Sequence, residues 1–139
     1  MDIKRILISG VVIWLVGTVF GFLTCGWLFN WVYTLPPNIW KDPAVMMSAG
    51  NLIGANLTGL ACAIIFTSVY ALLYKGIPGE GVKKGMTYGI LVWLVGALTG
   101  IASMPFYMTI ATTVVVYWIL QALVLGLING AIVGVIYKE

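Results

Sequence analysis

Four amides interrupt otherwise apolar stretches: Asn51 and Asn56 in one, Gln121 and Asn129 in another. An amide in hydrocarbon needs a partner, and a hydrogen bond between membrane helices contributes only about 0.6–2 kcal/mol. Two chemistries fit. The amides could tie helices together, or line an uncharged polar path to which Thr58, Thr99 and Ser103 would add hydroxyls. The first predicts amides that pair off in a dry interior. The second predicts that Asn56 and Gln121, both near the midplane at about 1.5 Å per residue, converge on one water-accessible face. Asn56-Leu57-Thr58 has the letters of a glycosylation sequon, but an acceptor must lie in an exposed loop.

A second set is soft. Met46, Met47, Met104 and Met108 fall at one level, with Cys25 near it. Thioethers and thiols select Cu(I), whereas methionine is equally an ordinary gap filler. Histidine is absent, so no imidazole strengthens a metal site, serves as general base or ligates a haem. Gap filling is therefore the reading taken, and no cofactor or metal is expected. Cys25 and Cys62 sit at different depths of an antiparallel hairpin, too far apart for a disulfide, and read as small packing residues. The acids Asp2, Asp42, Glu80 and Glu139 all fall in loops or at chain ends. An enzyme lacks its acid, base or activated nucleophile, and an ion-coupled transporter lacks its buried carboxylate. The glycine-rich segment Gly76 to Gly85 has neither the spacing nor the preceding strand of a phosphate-binding loop.

The elements that carry these residues follow from composition. Hydrophobic residues make up 62% of the 139 and charged residues 8%, against about 25% charged in a soluble domain. Such a chain cannot cover a water-facing surface, and its solvent is lipid. The net charge of +3 forms no basic stripe, so nucleic acid is not an expected partner. The sequence predicts an all-α integral membrane protein in one domain, with transmembrane helices over about 6–30, 43–74, 85–104 and 109–137, each long enough for a core of about 30 Å. Lys4 and Arg5 ahead of an apolar run also fit a signal peptide, but the run is too long. Trp31, Tyr33 and Trp40 suit an interfacial belt, and Asp42-Pro43 reads as a helix start.

The first helix repeats. GVVIWLVGTVFGFLT from Gly10 returns 79 residues on as GILVWLVGALTGIAS from Gly89, with Trp14 to Gly17 matched letter for letter at Trp93 to Gly96. Leu72-Leu73-Tyr74-Lys75 returns loosely as Val135-Ile136-Tyr137-Lys138. A fixed offset marks duplication. The expected fold is a helical hairpin, residues 1–75, copied in tandem as residues 76–139, the two entering the membrane in the same sense as a parallel repeat. The mid-chain copy also argues against a leader peptide.

Small residues recur every four positions on all four helices. Gly17 and Gly21 mark the first, Gly54 the second, Gly96 and Gly100 the third, and Gly126, Gly130 and Gly134 the fourth. Such ridges let backbones approach where lipid gives no hydrophobic drive. They predict packing within the bundle and against an outside partner, without saying which ridge does which. Lys4, Arg5, Lys75, Lys83, Lys84 and Lys138 fall on one side of the topology and Lys41 on the other, which predicts cytoplasmic termini in a plasma membrane. The expected function is a non-catalytic packing or accessory subunit in a lipid bilayer, joined to itself or to another membrane protein. The alternative is a passive channel or carrier for a small uncharged solute, formed by an oligomer.

Overall fold

The computed structural model describes residues 2–138, and every regular element in it is a helix. Met1 and Glu139, the last of the four acids, lie outside the described residues. Four helices are long and apolar enough to cross a membrane: Ile3–Leu28, Ala49–Gly76, Gly81–Tyr107 and Thr112–Ile136. They are called here the first to fourth spans, and the chain is built as a multi-pass membrane protein. Large apolar side chains such as Leu7, Val19, Val95 and Val135 face outward, as a lipid solvent allows.

The span limits follow local chemistry. Asp2 accepts from the Arg5 backbone N–H at 3.2 Å, so the first helix starts at Ile3. Asp42 accepts from Ala44 N–H at 2.8 Å, with Pro43 at the first helical position. That helix covers just Pro43–Met46. Ser48 is extended (φ −64°, ψ 145°), and its hydroxyl donates to the Val45 carbonyl at 2.8 Å. The long helix expected from position 43 is therefore two helices. Serine competes for nearby carbonyls at such a junction, and unbroken apolar flanks hide the break from the sequence. In the third span Met104–Tyr107 forms a last turn beyond the expected end near 104, since proline is tolerated in a first turn. Gly79 (φ +95°) and Gly81 (φ +50°) make the sharp turn between the halves.

Two spans widen into π-helix, over Phe22–Leu28 in the first and Trp93–Leu98 in the third. Trp93 matches Trp14 in the repeat, so the two wide turns sit at non-corresponding heights.

The third and fourth spans touch through backbone. A Cβ on Gly85 would strike the Gly130 carbonyl oxygen, one on Gly89 that of Gly126, and one on Gly134 that of Gly81. The first and second spans also meet closely. A Cβ on Gly10 would lie 3.2 Å from the Ile64 Cα, and Thr67 donates to the Ile6 carbonyl at 3.2 Å. All four spans converge at the lysine-rich end. Tyr70 packs there with its ring centroid 5.2 Å from Tyr88 and 6.0 Å from Tyr137. Tyr88 donates to the Phe66 carbonyl at 2.8 Å, and Lys84 Nζ lies 3.9 Å above the Tyr74 ring. Arg5 bonds the Lys138 carbonyl. At the far end a second core forms from Val32, Ile110, Val114 and Val115. The segment Asn30–Thr34 folds there over the fourth span, while the second span from Ala49 to Gly54 is almost wholly exposed.

Candidate functional site

The four amides separate into three places. Asn51 donates to the Met46 carbonyl at 3.0 Å and so bridges the break before its own span. Gln121 belongs to a polar knot at the far end. Its Nε2 lies 2.8 Å from Thr24 Oγ1 and 3.0 Å from Cys25 Sγ, donating to both. Tyr33 donates to the same sulfur at 3.2 Å and accepts from Trp118 Nε1 at 3.2 Å. Burial, and the bond to Cys25, raise the Tyr33 phenol well above its ordinary range, so it stays a neutral donor. This knot ties the first span and the following segment to the fourth span. Tyr33 and Cys25 were readable from sequence as a belt aromatic and a packing thiol. Their meeting was not, because it needs the Asn30–Thr34 turn to fold inward.

Asn56 and Asn129 line a different feature, a cleft of about 480 Å³ among the first, second and fourth spans. Its walls include Trp14, Thr18, Gly59, Cys62 and Phe66. Asn56 Nδ2 donates to the Leu52 carbonyl at 2.8 Å, within its own helix. Gly59 lets the Trp14 indole lie close: a Cβ there would be 3.4 Å from the ring. Trp14 Nε1 and Asn129 Oδ1 are buried and have no hydrogen-bond partner within the protein. Each such group costs about 1–3 kcal/mol. The matching indole is satisfied: Trp93 Nε1 donates to the Ile119 carbonyl at 2.9 Å. Both residues line the cleft, and no charged side chain does. The tyrosine cluster of the lysine-rich end lies beyond its Phe66 wall.

Asn56 and Gln121 do not meet: one lines the cleft and the other the knot. Thr99 bonds the Val95 carbonyl of its own helix and is exposed, and Ser103 is exposed too. Thr58 also faces outward. Of the glycines, Gly126, Gly130 and Gly134 lie against the third span, and Gly17 is 4.0 Å from Leu125, measured from an added Cβ. Gly21, Gly54, Gly96 and Gly100 meet nothing within 4 Å. Gly85 and Gly89 carry the closest approach yet looked no different in sequence from the open glycines.

Met46, Met47 and Met108 are exposed, while Met104 packs against the far core. Both cysteines are free thiols. Among the described residues no group of three His, Cys, Asp or Glu could hold a metal ion. No protein-family model, curated protein or solved structure matches the chain.

Proposed function

We propose that the chain is a non-catalytic membrane subunit that works by packing against another membrane-embedded chain, either a second copy or a different protein of a larger assembly. The observation that carries this reading is the exposed stretch from Ala49 to Gly54 of the second span, where Gly50 and Gly54 meet nothing. Small ridges are what close helix approach uses in lipid. The open Gly96 and Gly100 offer a second such face on the third span. The polar residues support it as well, since Gln121, Thr24, Cys25 and Tyr33 are bonded to one another and line no path.

Gentle extraction of a tagged chain from its native membrane, followed by mass and composition of the product, tests the reading. A complex larger than one chain is expected. A strictly monomeric product rejects it.

The duplication and the orientation belong to the same proposal. Ile6 with Thr67 and Gly85 with Gly130 are paired contacts, related by 79 positions in the first helix of each hairpin (Trp14 to Trp93) and 63 in the second (Tyr74 to Tyr137). A shared register at two independent offsets is what a copied hairpin would leave. The lysine-rich end would face the cytoplasm of a cell membrane, with both chain ends there.

The cleft favours a second reading, a passive carrier of a small uncharged solute. Against a through-path stands the aromatic cluster of Phe66, Tyr70, Tyr88 and Tyr137, which occupies the lysine-rich end.

A further inference from the structure

We propose that the cleft among the first, second and fourth spans is a water-filled inlet, open toward the far end, that admits small neutral hydrogen-bonding solutes to the middle of the membrane. This goes beyond the packing role and does not depend on it.

Three polar residues of its lining are themselves exposed: Asn56, Thr18 and Cys62. Their spans reach the far end at Ala49 and Leu28. At about 1.5 Å per residue the three lie roughly 10, 15 and 20 Å below that end, so polar groups follow the cleft down to mid-membrane. Asn56 is seven residues before Ala63 and eleven before Thr67, which places all three on one face of the second span. Ala63 and Thr67 are buried, and Thr67 bonds the Ile6 carbonyl of the first span. Asn56 is exposed on that same face, because at its level the cleft takes the place of packing. Its Nδ2 donates to the Leu52 carbonyl at 2.8 Å, which leaves the second N–H and the side-chain oxygen free. Thr18 donates to the Trp14 carbonyl at 2.8 Å and keeps its own lone pairs to accept with.

Water is the occupant that answers these groups. A hydrocarbon chain would leave them unbonded, and polar side chains within a membrane face the bundle interior or a water-filled cavity. The volume of about 480 Å³ far exceeds the roughly 10–15 Å³ that one water needs. No charged side chain lines the cleft, so an ion that entered would lose hydration without compensation, whereas a neutral solute would not. Residues 52–58 of the second span are exposed on the far side of it. Toward the lysine-rich end it stops at Phe66, whose ring packs on Tyr88, with Tyr70 behind. The inlet is therefore blind: it reaches the middle of the membrane and ends there.

The test uses the full chain in phosphatidylcholine nanodiscs, with the native Cys62 as reporter and Val95→Cys as a control thiol. Val95 is 76% exposed and, like Cys62, lies at the centre of its span, but it is not part of the cleft. Iodoacetamide, a small neutral amide, is reagent and solute at once, and mass spectrometry separates Cys62 from Cys25. Alkylation proceeds through the thiolate, which hydrocarbon does not support, so Cys62 should react at least about tenfold faster than the thiol of Val95→Cys. Iodoacetate is of similar size and anionic. Relative to its rate with free glutathione, it should be slower at Cys62 than iodoacetamide by about tenfold, for want of any lining charge. Equal rates at Cys62 and Val95→Cys overturn the proposal, as does a Cys62 that reacts only once detergent replaces the bilayer. A lipid chain or a second copy seated in the cleft would give that result. Iodoacetate as fast as iodoacetamide on the glutathione scale overturns it too.

Discussion

At the scale of single residues, glycine position matters more than glycine number. Gly85 and Gly130 face each other so closely that either Cβ would strike backbone, which cannot move aside as a side chain can. Gly85→Leu or Gly130→Leu should cost at least the roughly 1–3 kcal/mol typical of overpacking. Thermal unfolding in detergent, followed by size-exclusion chromatography, would show it as loss of a monodisperse peak. Gly96→Leu meets open space and should leave that unfolding temperature unchanged. In the polar knot, Gln121→Leu removes the donor to Thr24 and Cys25 and should cost about 0.6–2 kcal/mol. Tyr33 gives a pH signature. Its folded value is raised above the ordinary phenol value of about 10. The neutral form is thus favoured by folding, and the contribution is fully present below the unfolded value. It is lost as pH rises through the folded one. Unfolding temperature should stay flat with pH on this account and then fall at alkaline pH, and Tyr33→Phe should flatten that fall.

At the scale of elements, the two pairs of neighbouring spans pack with different residues. The third and fourth spans carry glycine at each facing position, so backbone meets backbone. The first and second put Ile6, Ala63 and Thr67 where the other pair has Gly85, Gly126 and Gly130, and Thr67 bonds the Ile6 carbonyl across the contact. The break at Met47–Ser48 then frees the following stretch of the second span from the far core. Gly54→Leu should leave the fold intact and reduce the mass of the complex extracted from membranes. An unchanged complex would mean that this face has no packing role.

At the scale of the whole molecule, all four spans pack together at the lysine-rich end, whereas at the other end the start of the second span stands exposed. Lys84 over Tyr74, Arg5 on the Lys138 carbonyl and the tyrosine cluster all belong to the lysine-rich end. A cysteine placed at Lys83 should be labelled by a membrane-impermeant reagent from the cytoplasmic side alone. Labelling from outside would reverse the proposed topology.

Composition alone determined the solvent. A chain with 8% charged residues and four apolar stretches must satisfy its backbone inside helices, so four membrane-length helices were legible before any contact was known. Caps such as Asp2 and Asp42 were legible for the same local reason. The rotation of each helix about its axis was not. In a soluble protein the polar face tells which side is out, but here lipid and interior are both apolar, and small ridges recur on every helix. That is why Gly96 and Gly85 look alike in sequence and differ in structure. It is also why Asn56 and Gln121, placed at one depth by counting, prove to belong to different sites. The partners of Gln121, and the unpaired state of Trp14 against the pairing of Trp93, depend on groups tens of residues away. The tertiary structure decided them, because only the helix rotations and the two hairpin spacings bring those groups together.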